Sequence, residues 1–312
     1  MSATSYDSIR MIIGDTNSAV RQGIKTALFA HGFRNIRDAS RLPTLHTAVE
    51  QNEVDLVVCD CALPEGDVSA MIYDVRHNRI GDNPFIVLIA LAASPTPDVI
   101  ARVIDSGADD LIAKPISPVI LIDRVTRLTR ARKRFVVTSD YIGPNRRDTL
   151  RPDDEAIPLI EVPNPLNAKT SGQSVSDLQK QIDAARMLVN EEKMLRHARQ
   201  IAYLVDQLVP KYQAGETDDT IIPALDRLLS AAQDISRRLE GTRFSHVGDL
   251  CQSMVDLASK VRTDPLAPKP KDLRLMPELA GAISTAFSSE ADADLAYDIS
   301  ETVRRYAGPT AQ

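Results

Sequence analysis

The 312-residue chain has no tryptophan, three cysteines, and aromatic residues at only 4%. So little ring surface argues against a stacking platform for nucleic-acid bases. Cys59, Cys61 and Cys251 are too few for a disulfide framework and lack zinc-ligand spacing. Cys59 and Cys61 sit in a strand-like run, where small buried thiols are expected rather than a redox pair. No apolar run approaches the ~20 residues needed to span a bilayer. The opening MSATSYDSIRMIIGD lacks the basic-then-apolar order of a secretion signal. Lys and Arg number 37 against 43 Asp and Glu, so no basic footprint for nucleic acid is present. These absences predict a cytoplasmic protein with neither membrane nor nucleic acid as partner.

What is present falls into three regions, with expected boundaries 1–134, 135–173 and 174–312. In the first, residues 9–13, 54–59 and 85–90 are nearly continuous apolar runs, as in strands buried on both faces. Residues 35–39 and 110–113 are weaker strand candidates. Helical patterns lie between them, at 19–30, 44–52, 69–76, 99–106 and 119–132, with Gly32, Gly81 and Gly107 at expected helix ends. Strict alternation of strand and helix predicts an α/β fold, a doubly wound five-stranded parallel sheet, with function at the carboxyl ends of its strands.

The second region holds Pro144, Pro152, Pro158, Pro163 and Pro165 and shows little periodicity, so it reads as a linker. Its 157–162 run has the composition of a short strand able to dock on a neighbour, a minor reading beside the linker. The third region predicts a separate all-α domain. A long helix is expected over 174–208, with a break in phase near 190–193, followed by helices at 220–239, 245–261, 275–287 and 291–306.

The unusual polar residues of the first region fall at strand ends. Asp15 ends the first strand, Asp60 the third, and Lys114 the fifth, followed by Pro115. With the first strand central, two carboxylates and an ammonium converge at one edge. The segments IIGDTNSAVRQGI, DLVVCDCALPEGDV and GADDLIAKPIS, in that order and spacing, resemble bacterial response regulator receiver domains. The resemblance covers nearly all of residues 8–132. It implies that Asp60 accepts a phosphoryl group from a histidine kinase or phosphotransfer protein. It also implies that Asp15, Asp60 and the carbonyl of Ala62 hold Mg²⁺, and that Lys114 pairs with the phosphoryl oxygens. Mg²⁺ suits a few hard oxygens and neutralises charge on a transferring phosphoryl group.

Two departures bear on that expectation. Thr16 stands where the family carries a second acid, which weakens the metal site. The family's switch Ser or Thr near the end of the fourth strand is also missing, since residues 86–93 read IVLIALAA and the first hydroxyl is Ser94. The usual aromatic partner on the fifth strand is Leu111. Structural readings therefore stay open: Asp15 as a helix cap, Asp60 bonding local amides, Lys114 as counter-ion to either. The alternative function is a degenerate receiver acting as an adaptor or dimerisation scaffold without phosphorylation.

Residues 174–312 show no helix-turn-helix with a basic recognition helix and no catalytic constellation, so no enzyme is expected. The 130–134 basic stretch reads as a solvated helix end favoured by the helix dipole. His197 and His246 lack the Lys-Gly that usually follows a phosphotransfer histidine, and both read as helix-surface or cap residues. The 174–208 helix reads as a dimer seam, predicting a homodimer with protein–protein output.

Overall fold

The computed structural model describes residues 5–147 and 157–288. Strands β1 (Arg10–Gly14), β2 (Asn35–Ala39), β3 (Leu56–Asp60), β4 (Val87–Ala92) and β5 (Asp110–Ala113) form one parallel sheet in the order β2-β1-β3-β4-β5. Helices α1 (Ser18–Ala30), α2 (Leu42–Glu50), α3 (Val68–Arg76), α4 (Pro97–Asp105) and α5 (Pro118–Arg130) connect them. Successive residues of β1, β3 and β4 alternate between two cores. Met11, Ile13, Val58 and Ile89 pack with α1 and α5, while Ile12, Val57, Cys59 and Leu88 pack with α2 and α3. Two covered faces are why these strands read as continuous apolar runs. The strand order reverses between β1 and β3, so their carboxyl ends open a crevice at the switch point.

Residues 135–147 and 157–173 do not form the free spacer that the prolines of this region suggest. Strands β6 (Phe135–Val137) and β7 (Ile142–Pro144) form an antiparallel hairpin, and Phe135 also bridges Ile160. The 157–162 run therefore does dock on a neighbour. Helix α6 (Pro165–Thr170) follows, and its Leu166 is buried in the core shared by α1 and α5. Asn164 caps the end of α5, its Nδ2 donating to the carbonyls of Leu128 (2.7 Å) and Thr129 (3.1 Å). Lys169 Nζ donates to Asp55 Oδ2 at 2.6 Å.

A buried charge network holds the hairpin. Arg76 donates to the carbonyls of Gly107, Pro84 and Ile86 and pairs with Asp109 at 2.7 Å. Arg132 grips the other side of Asp109, with Nε 2.8 Å from Oδ1. Both guanidiniums lie over the Phe135 ring, 5.2 and 4.9 Å from its centroid. The expectation of a solvated 130–134 end thus fails at Arg132, whose side chain is 3% exposed. At Gly107, φ is +90° and the Ile142 carbonyl sits where a side chain would begin, so only glycine admits the hairpin this closely.

The chain divides into two compact units, Met1–Leu188 and Val189–Gln312, instead of the three parts read from composition. Helix α7 (Val175–Ala214) is continuous through the expected phase break and crosses that division. In the second unit, α8 (Ile221–Arg238), α9 (Gly248–Thr263) and α10 (Pro270–Ser288) pack with the later part of α7, and a short 3-10 turn (Ser245–Val247) precedes α9. Met194, Ala198, Ile201, Val205 and Leu208 are buried within this one-chain core, so that stretch of α7 is not a free dimer seam. His197 is buried as well, contrary to the surface reading. Its Nε2 lies 2.9 Å from Asp234 Oδ2 and its Nδ1 3.2 Å from Gln200 Oε1. The expected helix at 291–306 lies outside the described residues. No helix among the described residues is long and apolar enough to cross a membrane.

Candidate functional site at the carboxyl edge of the sheet

The three residues singled out by their positions at strand ends meet. Asp15 follows β1, Asp60 closes β3, and Lys114 follows β5. Lys114 Nζ lies 2.6 Å from Asp15 Oδ2 and also pairs with Asp60 Oδ2. The backbone fixes this meeting, because the Lys114 amide donates to the Ala92 carbonyl (2.8 Å) and the Asp15 amide to Ala39 (3.1 Å). The Lys114–Pro115 peptide is cis.

Asp15 and Asp60 are both buried. Asp60 Oδ1 accepts from the Ala62 amide at 2.9 Å, the local bond foreseen in the structural reading. Asp15 Oδ1 accepts from the Asn17 amide at 2.8 Å. Asp15 does not cap α1, since Asn17 does so by accepting from Ala19 and Val20. Burial pushes the Lys114 ammonium down, but its pairing with Asp15 and Asp60 outweighs this and holds its pKa above the ordinary lysine value.

Asp15 Oδ2 is buried and receives no well-directed hydrogen bond among the described residues, where its compensation is the Lys114 charge. Such an oxygen suits a cation. The donors brought together for a metal are hard oxygens, the carboxylates of Asp15 and Asp60, with Ala62 bonded to Asp60 through its amide. That set fits Mg²⁺ in kind, with one carboxylate fewer because Thr16 is exposed beside Asp15. Among the described residues, no cluster of three or more His, Cys, Asp or Glu side chains is placed to hold a metal ion.

Beside Asp60 opens a cavity of about 290 Å³, lined in part by Ala62, Ser69, Ala92, Ser94 and Arg102. Ala92 is in register with Ala113, next to Lys114, so it occupies the strand end where a switch hydroxyl would stand. Leu111 on β5 pairs with Ala90 and packs on the core of α2 and α3. Cys59 and Cys61 are free thiols; burial pushes both up, Cys61 to about 11, which makes them unreactive at neutral pH. The sequence reading missed Arg102. A lone arginine on an amphipathic helix carries no mark of which cavity it lines.

Residues 11–126 match the family described as the response regulator receiver domain. Similar curated proteins include the transcriptional regulatory protein GltR of Pseudomonas aeruginosa, 32% identical over 123 residues, covering 38% of this chain and 48% of that protein. The KDP operon transcriptional regulatory protein KdpE of Escherichia coli is 34% identical over 105 residues, covering 34% of this chain and 44% of that one. The chain thus spans about half the length of these relatives. A CheY-like receiver domain structure from Methanospirillum hungatei overlays with a TM-score of 0.35 at 20% identity, over 38% of this chain and 91% of that one. With the family match, the strand order and the Asp15–Asp60–Lys114 cluster in agreement, residues 11–126 are a response regulator receiver domain.

Proposed function

We propose that this chain is a response regulator of a phosphorelay. Asp60 takes a phosphoryl group from a histidine kinase or phosphotransfer protein, and the helical C-terminal region passes the signal on by protein–protein contact. The observation that carries this reading is Lys114 holding Asp15 and Asp60 together at the rim of the sheet. A carboxylate oxygen of Asp60 attacks phosphorus, and the bond to the donor's imidazole nitrogen breaks, its electron pair leaving with the nitrogen. Lys114 is positioned to follow the charge onto the phosphoryl oxygens. Mg²⁺, when bound through Asp15, Asp60 and the Ala62 carbonyl, supplies neutralisation of phosphoryl charge.

The added charge then changes the balance of the loops around Asp60. The output is directed at proteins rather than nucleic acid, as the net charge of −6 suits, and the chain acts as a cytoplasmic carrier of signal rather than an enzyme. Homodimerisation through the C-terminal helices would use the apolar surface that α7 leaves exposed, at Val175, Met187 and Leu188.

Thr16 and Ala92 favour a second reading, a receiver that works as an adaptor without phosphorylation. Incubation with phosphorylated histidine kinases separates the two. Transfer of label to the wild-type chain and none to Asp60→Asn supports the phosphorelay. Absence of transfer from every kinase of the source organism supports the adaptor.

A further inference from the structure

Strand β4 ends in Ala92, with no hydroxyl at that position, and the cavity beside Asp60 carries a cation on its wall. Helix α4 sets Val99, Arg102 and Val103 on one face by their spacing of three and four, and all three line the cavity with Asp60. Val103 is buried and anchors that face to the core of α2 and α3. Arg102 is exposed, and its guanidinium makes no hydrogen bond or ion pair with any described residue.

Asp67, the other charged side chain on this rim, is committed elsewhere, accepting from the Ser69 and Ala70 amides as the cap of α3. Lys114 is committed to Asp15 and Asp60. Among the described residues lining the cavity, the cation without a partner is therefore Arg102, beside the Ser69 and Ser94 hydroxyls; it is a planar group with five N–H donors suited to the oxygens of a phosphoryl anion.

The geometry points to Arg102 as the phosphoryl-contacting residue of this receiver, doing from α4 what a hydroxyl at position 92 would do from β4. This inference rests on Asp60 being the acceptor. It makes α4 the element that senses the modification, since a phosphoryl group on Asp60 draws the guanidinium, and the helix that carries it, toward the strand edge. It also accounts for a receiver that keeps Asp60 and Lys114 while ending β4 in alanine.

The test is titration of the full chain with beryllofluoride and Mg²⁺, a phosphoryl mimic that binds the acceptor carboxylate, followed by amide NMR. Wild type should bind and shift α4 resonances, and Asp60→Asn should not. Arg102→Gln should bind about tenfold more weakly, as loss of a charge-assisted hydrogen bond requires. Arg102→Lys should lie between the two. Adding Ala92→Thr to Arg102→Gln should recover most of the affinity, which a merely structural role for Arg102 would not permit. Wild-type affinity in Arg102→Gln would overturn the inference while leaving Asp60 as acceptor. No binding by wild type would overturn both.

Discussion

Lys114 Nζ lies 2.6 Å from Asp15 Oδ2 while pairing with Asp60 on its other side, so one ammonium compensates two buried carboxylates from different strands. Any cation entering the site competes with that ammonium for the same oxygens. The third acid that would tip the competition toward a metal is absent at Thr16.

Restoring it should strengthen the metal site. Thr16→Asp places a carboxylate beside Asp15 at an exposed position, where it costs little stability. Mg²⁺ affinity should rise about tenfold. Isothermal calorimetry on the variant and wild type reads this directly, and equal affinities would show that position 16 does not face the metal.

The Arg76–Asp109–Arg132 network predicts a large loss when its centre is removed. Asp109→Asn leaves two guanidiniums without their counter-charge, one of them fully buried, and should cost about 3–5 kcal/mol. Urea denaturation of the first unit's signal checks it. The pair also sets the acid limit of this unit. Burial pushes the Asp109 carboxyl up, but Arg132 and Arg76 overcome this and hold it below its ordinary 3.8. Its stabilisation is complete above that value and lost as pH falls through the lower folded one.

The docked hairpin should respond to Phe135. Truncation to alanine removes the ring that two guanidiniums cover and empties a fully buried site, costing about 3–5 kcal/mol. Proteolysis should then cut within residues 135–147, which wild type protects. Unchanged protection would mean that the hairpin docks without its aromatic anchor.

In the helical unit, Asp234 accepts from His197 Nε2 (2.9 Å), Arg238 Nε (2.7 Å) and Arg237 Nη2 (2.6 Å). Burial pushes its carboxyl up, yet these partners hold it well below the ordinary carboxylate range. Such a depressed group stabilises the fold above its unfolded value of 3.8 and ceases to as pH falls through the folded one. Asp234→Asn should lower stability at pH 7 and flatten the acid loss, measured as helicity against pH in fixed urea. An acid limb of unchanged slope would show that Asp234 does not set it.

The strands and the Asp15–Asp60–Lys114 meeting were legible because apolar runs, glycine stops and polar strand ends lie within short stretches of sequence. The hairpin was not. Its three-residue strands carry no periodicity, and Phe135 is stabilised by Arg76 and Arg132, partners that only tertiary structure supplies. His197 was misjudged for the same reason, since an Arg-His-Ala-Arg context looks solvated until Asp234, 37 residues away, is placed beside it. Arg102 illustrates a third limit: helical spacing gives a face, but not which cavity that face lines.

The central claim is that Asp60 is a phosphoacceptor despite Thr16 and Ala92, and intact-mass spectrometry after incubation with acetyl phosphate and Mg²⁺ tests it most directly. A single phosphoryl adduct on the wild-type chain, absent from a folded Asp60→Asn variant, is the predicted result. An unmodified wild-type chain, or an adduct that survives the Asp60 substitution, would contradict it.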